Sequence, residues 1–277
     1  MSDYRHESRA RWGANAAQWA AYADTMRAAT MPVSRWMVEA IRPQPGHDLL
    51  ELAAGPGDVG FLAAELIQPG GTLISSDFSP EMLSAAQRRA EALGLRNVRF
   101  KQIDAELPFD LAAASLDGVL ARWGYMLLND PEAALRETRR VLKPGARVAL
   151  AAWAGAEENR WSSEPVALLT ERGLLPPPEP GPGQFTWGEE GVIAEHLEAA
   201  GFVEYEVDAI DFPMRYDSVE GWFAAQGGIS PRIRELGLDD ATRAAVVEEL
   251  RARVAAWTDE DGALAIPART WVAWAEA

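Results

Sequence analysis

From residue 48 to residue 153 the sequence repeats one rhythm: a short apolar run, a turn containing Gly, Pro or Asp, and a segment with apolar residues at helical spacing. Strands are expected at 48–52, 72–76, 98–102, 117–121 and 147–153, and helices at 58–67, 80–93 and 131–141. Ser79 before Pro80 supplies an N-cap for the second of these helices. Strands that alternate with helices pair in parallel through crossovers, so the expected fold class is α/β, a doubly wound and mostly parallel sheet. After Trp153 the rhythm breaks. A helix at 160–172, a stiff proline-rich connector at 176–183, a helix at 189–200 and a strand at 202–215 come first. Helices at 219–226 and 239–257 and a closing strand at 263–274 complete the chain.

The first strand runs into Glu51-Leu52-Ala53-Ala54-Gly55-Pro56-Gly57-Asp58-Val59-Gly60. Glycines lack a Cβ, so the backbone can turn tightly and admit a ligand to its amides, while the next helix presents unpaired N–H groups at its positive end. That is the chemistry of a cofactor crevice. The spacing satisfies G-x-G-x-x-G, and Asp77 ends the second strand where a ribose-binding acid is expected, so an NAD(P)-dependent oxidoreductase is one reading. Glu51 beside the turn opposes a pyrophosphate, and Asp104 and Glu106 add a third acidic position after the third strand. Three acidic strand ends around one crevice suit a ligand with ribose hydroxyls, an exocyclic amine and a positive centre, groups that S-adenosylmethionine carries.

On four motifs together the chain resembles the class I S-adenosylmethionine-dependent methyltransferases, of the methyltransferase type 11 group that includes the ubiquinone/menaquinone-biosynthesis enzymes. Residues 51–57 match the first motif, with Ala53 where the commonest version has glycine. Ser75-Ser76-Asp77-Phe78-Ser79-Pro80-Glu81-Met82 matches the second and Asp104-Ala105-Glu106-Leu107-Pro108-Phe109 the third. Leu142-Lys143-Pro144-Gly145-Ala146-Arg147 resembles the turn before the fifth strand. The resemblance implies a seven-stranded Rossmann-like sheet with an antiparallel last strand and a helical cap, and S-adenosyl-L-methionine as cofactor. It implies that Asp77 holds the ribose hydroxyls, that Phe78 and Met82 flank adenine, and that Asp104 and the Ala105 N–H receive the ring's edge. Glu51, Ala53, Gly55, Gly57 and Arg122 then surround the methionine end, with Trp123 beside it at the substrate mouth.

Two helices, at 6–28 and 32–41, are expected before the first strand, with Pro32 in the first turn of the second. The expected organisation is N-terminal cap helices at 1–45, a cofactor-binding core at 46–216 and 261–277, and a helical insertion at 217–260 that forms part of the substrate cap. Many of the 11 tryptophans fall in cap segments, where they either line a pocket for a flat, apolar acceptor or fasten the cap helices to the sheet. Trp19, Tyr22 and Trp123 are the substrate-pocket candidates. His6 and Tyr22 are the candidates for a general base, whereas His47 and His196 read as structural. Arg122 has the alternative of pairing with Glu137.

The chain of 277 residues has 26 Lys+Arg against 42 Asp+Glu, a net charge of -16 that disfavours nucleic acid and anionic membranes as partners. Without cysteine it has no thiolate chemistry, and no metal site is expected. No apolar run is long enough to span a bilayer, and a cytoplasmic protein is expected. The expected partner is a small-molecule methyl acceptor, with a homodimer left open. A non-catalytic cofactor-binding or assembly protein is the remaining alternative.

Overall fold

The computed structural model describes residues 2–277, with side chains from Tyr4 onward. In chain order it contains α1 (Ser2–Ala40), β1 (Asp48–Glu51), α2 (Val59–Leu66), β2 (Thr72–Asp77), α3 (Pro80–Ala92), β3 (Val98–Gln102), β4 (Leu116–Arg122), α4 (Pro131–Val141) and β5 (Leu142–Trp153). There follow α5 (Arg160–Glu171), α6 (Val192–Ala199), β6 (Glu204–Tyr216), α7 (Val219–Ile229), α8 (Pro231–Arg234), α9 (Asp240–Arg253) and β7 (Leu264–Glu276). One seven-stranded sheet has the order β3-β2-β1-β4-β5-β7-β6. Strands β3, β2, β1, β4 and β5 pair in parallel, and β7 runs antiparallel to β5 from Arg147 opposite Glu276 to Trp153 opposite Thr270. Leu49, Leu50, Val119, Leu120, Val148 and Ala149 are fully buried, as expected where helices cover both faces of a parallel sheet. The strand order reverses between β1 and β4, and at such a switch the loops after the strand ends diverge and leave a crevice.

Local chemistry accounts for the helix starts. The Ser79 hydroxyl accepts the Met82 N–H at 3.2 Å and Pro80 opens α3; Asp130 accepts the Ala133 N–H at 2.9 Å and Pro131 opens α4. Two expectations fail. The two N-terminal helices are one continuous α1 of 39 residues with Pro32 inside it. Proline removes one helical N–H, but the turns around it are held by burial of Val33, Ser34 and Met37, so packing overrides the local signal. The Lys143-Pro144-Gly145 turn is absorbed into β5: Gly145 takes φ +79 and its N–H donates to Ala277, while the pairing register with β4 shifts between Leu116 and Gly118.

The chain divides into two compact units, one of residues 1–154, 181–210 and 270–277, the other of residues 155–180 and 211–269. The second takes in α5 as well as the 217–260 segment. Its interior holds Trp161, Leu168, Trp222 and Leu250, with the Trp222 indole N–H donating to the Trp161 carbonyl at 2.7 Å. Arg253 joins Glu164 and Glu171 along its helices. In the first unit, Trp187 is buried and stacks on Tyr125 and His196. Trp161, Trp187 and Trp222 are therefore core residues. Among the described residues no helix is long and apolar enough to cross a membrane.

Candidate active site

The first unit contains the crevice, and its floor is made by strand ends. Glu51 closes β1 with only 3% of its surface exposed. One carboxylate oxygen, Oε1, accepts the Gly60 N–H at the start of α2 at 2.9 Å. The other, Oε2, is buried without a hydrogen-bond partner. A Cβ on Gly60 would lie 2.4 Å from that oxygen, so only glycine lets the carboxylate lie against α2. Burial raises the Glu51 pKa to about 7; the Gly60 bond opposes this, Asp58 adds to it, Arg122 opposes it and Asp77 adds a little more.

The chain then turns through three left-handed positions, Ala53 at φ +51, Gly55 at φ +56 and Gly57 at φ +79. The Gly55 N–H donates to Asp77 Oδ2 and the Ser79 N–H to Asp77 Oδ1, each at 2.9 Å, so the buried Asp77 joins the turns after β1 and β2. Burial raises its pKa to about 6 against those bonds. Nothing lies within 4 Å of the place a Gly55 Cβ would occupy, so its backbone borders open space. Gly57 differs from expectation: a Cβ there would meet the Phe61 ring at 2.3 Å, and Gly57 does not line the crevice. Its role is to admit Phe61. Ala53, Ala54, Phe78, Met82, Asp104 and Ala105 do line it, as the motifs imply. Asp104 Oδ1 accepts the Glu106 N–H at 3.1 Å, and its Oδ2 stands 3.9 Å from Arg5.

Arg122, at the end of β4, borders the crevice but has its guanidinium committed. Nη2 pairs with Asp58 at 2.5 Å, and Nη1 donates to Thr30 and Ser34 of α1 at 2.8 Å each. Those hydroxyls in turn donate to the Met26 and Thr30 carbonyls. Asp58 Oδ1 makes no hydrogen bond and has only Arg27 at 3.9 Å. Glu137, the alternative partner for Arg122, pairs instead with Arg140 at 2.8 Å. Trp123 takes φ +60, stacks on Trp153 at 4.1 Å and donates its indole N–H to Thr270 at 3.0 Å. With Arg122 4.6 Å from its ring centre, it is a fixed wall rather than a free π face.

Helix α1 forms the roof. Tyr4, Ser8, Trp12, Trp19, Ala23 and Met26 line the crevice, and their separations of three, four and seven residues put them on one helix face. The rings of Trp12 and Trp19 lie 6.0 Å apart, inclined at 40°. Close approach is possible because residue 13 is glycine: a Cβ there would lie 2.7 Å from Glu81 Oε2 at the start of α3. Arg89 of α3 lines the crevice as well, donating to the Gly57 carbonyl at 2.5 Å and pairing with Asp24 of α1 at 3.4 Å. Both base candidates lie off this stripe. His6 is exposed and Tyr22 half-buried, and neither lines the crevice. The phenol that does is Tyr4, whose pKa is raised chiefly by burial. Its signal in the sequence was its phase with Ser8, Trp12 and Trp19, legible only with a helix beginning at residue 2. His47 accepts the Gln44 N–H and His196 stacks on Trp187, so both are structural.

The residues present fit S-adenosylmethionine. The unpartnered Glu51 Oε2 asks for a donor, best a cationic one, and would repel a phosphate. The space beside Gly55 admits a chain along the backbone. The crevice, counted with the open solvent at its mouth, encloses about 1260 Å³ not filled by protein atoms.

Known proteins agree with this reading. The family model described as a methyltransferase domain matches residues 43–168. The chain is 32% identical to a nocamycin O-methyltransferase of Saccharothrix syringae over 239 residues, 79% of this chain and 81% of that protein. It is 44% identical to a demethylmenaquinone methyltransferase of Thermus thermophilus over 101 residues, which span 36% of this chain and 44% of the relative. The crystal structure of the YcgJ protein of Bacillus subtilis shares the fold, with a TM-score of 0.57 at 21% identity, covering 88% of this chain and 97% of that one.

Proposed function

Since the chain belongs to the class I S-adenosylmethionine-dependent methyltransferases, we propose that it methylates a small apolar or aromatic molecule lodged beneath α1. The observation that carries this reading is the Tyr4, Ser8, Trp12, Trp19, Ala23 and Met26 stripe, which faces a floor containing Leu127 and Leu128. Such a surface gains by covering apolar area and stacking on rings; Arg5, the one charged residue among the described α1 residues that line the crevice, stands 3.9 Å from Asp104.

Bound S-adenosylmethionine supplies an already activated methyl group, so the protein's task is alignment and exclusion of water. Asp77 receives the ribose hydroxyls on the lone pairs its backbone bonds leave over. Phe78 and Met82 flank the adenine, and Asp104 with the Ala105 N–H meets its polar edge. Glu51 Oε2 takes the amino group of the methionine end, while Ala53 and Gly55 keep the backbone low enough for that end to pass. Arg122 presents fixed positive charge toward its carboxylate and, through Thr30 and Ser34, holds the roof in place. Tyr4, with a raised pKa, remains protonated at neutral pH and acts as a hydrogen-bond donor rather than a base.

The test is methyl transfer to a panel of phenols, quinones, aliphatic amines and peptides, read by mass spectrometry. Phenols or quinones are the expected acceptors, and Trp12→Ala should raise the acceptor KM roughly tenfold while leaving S-adenosylhomocysteine affinity unchanged. Transfer confined to amines or peptides would refute the aromatic-acceptor reading.

A further inference from the structure

Glu106 carries no role in the reading above, yet it is bonded across the crevice wall. Its own N–H donates to Asp104 Oδ1 at 3.1 Å, which fixes the turn after β3. The side chain points elsewhere: Oε1 accepts the Asn129 N–H at 2.7 Å and the Asp130 N–H at 3.0 Å. These amides immediately precede α4, of which Asp130 is the N-cap, so the carboxylate also lies at the positive end of a helix. Just before them, Leu127 and Leu128 line the crevice, as Asp104 and Ala105 do on the other side of the bond. The loop carrying Leu127 and Leu128 is anchored at its start by the buried Tyr125, which stacks on Trp187 and shares a 2.6 Å hydrogen bond with the Thr138 hydroxyl, and by the buried Met126, whereas Leu127 and Leu128 are only half-buried. Its N–H groups at Leu127 and Leu128 donate only to Gly124 and Tyr125, and the Leu127 carbonyl accepts from Tyr4 at 3.4 Å.

We propose that Glu106 is a positioning residue that joins the cofactor wall, Asp104 and Ala105, to the acceptor wall, Leu127 and Leu128, so that filling the first orders the second. The proposal rests on the assignment of Asp104 and Ala105 to the cofactor. Two successive backbone N–H groups of one loop that converge on a single carboxylate oxygen hold that stretch of backbone more firmly than one bond would. The consequence is a preferred order of events: cofactor first, then an acceptor wall already set to the right width. Removing the side chain should not unfold this region. Further from the crevice the same segment remains fastened to α4 by the Phe109 N–H on Glu137 and by Arg140 on the Phe109 and Leu111 carbonyls.

The experiment uses the full chain with S-adenosylhomocysteine as probe, measuring affinity by calorimetry and local order by amide hydrogen exchange. In the wild type, saturating probe should protect residues 53–57 and also residues 126–130. In Glu106→Ala, affinity should fall roughly tenfold, as for loss of hydrogen bonds to a charged group. At saturation the protection at 53–57 should persist while that at 126–130 is lost. Glu106→Gln keeps an acceptor oxygen and should restore both. Were Glu106 only a stabilising group, Glu106→Ala would lower Tm yet leave the probe-induced protection at 126–130 intact. That result, or failure of Glu106→Gln to restore protection, would overturn the inference alone. A wild type that does not bind the probe would overturn the cofactor assignment and this inference with it.

Discussion

Glu51→Gln should make the protein without cofactor more stable and at the same time a poorer cofactor binder. In the folded protein burial holds the Glu51 carboxyl at about 7, against an ordinary value of 4.5. A raised carboxyl pKa means the folded state binds more protons than the unfolded state between those values, so this group lowers stability as pH rises from 4.5 to 7. At 1.36 kcal/mol for each tenfold change, the full effect is about 3 kcal/mol at pH 8 and under about 1 kcal/mol at pH 5. Glutamine has the same shape without the charge, and its oxygen can still accept the Gly60 N–H. At pH 8 the variant should therefore melt roughly 5–10 °C above wild type, and at pH 5 by no more than about 3 °C. Its amide NH2 would then face the place now held by the unpartnered Oε2, turning an acceptor into a donor. Loss of a charged hydrogen bond of about 1.5–3 kcal/mol corresponds to S-adenosylhomocysteine binding some 10–100-fold weaker. Thermal melts at the two pH values and calorimetry with the homocysteine analogue test both halves. A variant less stable than wild type at pH 8, or one that binds with unchanged affinity, would refute the argument.

Ala53→Gly should leave Tm unchanged or raise it by up to about 6 °C. Relief of the left-handed φ +51 is worth about 1–2 kcal/mol, less about 0.5–1 kcal/mol for the added freedom of glycine in the unfolded chain; a fall in Tm would refute this. Gly60→Ala should lower Tm. Its Cβ would press on Glu51 Oε2 at 2.4 Å and on Leu73 at 3.0 Å, costing about 1–3 kcal/mol and weakening analogue binding, and an unchanged melting curve would show the glycine to be dispensable.

The floor of the crevice was legible because its chemistry is local. Glu51 and Asp77 end recognisable strands and Asp104 follows one, and the glycines between them mark turns that few other residues can make. The alternative of a nicotinamide-dependent oxidoreductase drew on the same glycines, and it fails on the relatives and on a buried carboxylate where a pyrophosphate would lie. A motif records that residue 57 lacks a side chain but not which neighbour uses the space; here that neighbour is Phe61. The roof was harder to see. Pro32 marks a helix start by local rules, and only the burial of the residues around it shows that α1 runs through. A helix begun at residue 6 leaves out Tyr4, and with it the phase that joins Tyr4 to Ser8, Trp12 and Trp19. The commitment of Arg122 to Asp58, Thr30 and Ser34 joins three separate parts of the chain, which no sequence spacing announces.

Division of labour between floor and roof bears on how such a protein changes over time. Most residues assigned to the cofactor lie on strand ends and the turns after them, whereas a large part of the proposed acceptor surface is one stripe of a single helix that precedes the sheet in sequence. On that proposal, mutations along the stripe should alter acceptor preference while the turns that hold the cofactor stay as they are. A library varying only Ser8, Trp12, Trp19 and Ala23 would search acceptor preference while leaving every cofactor motif untouched.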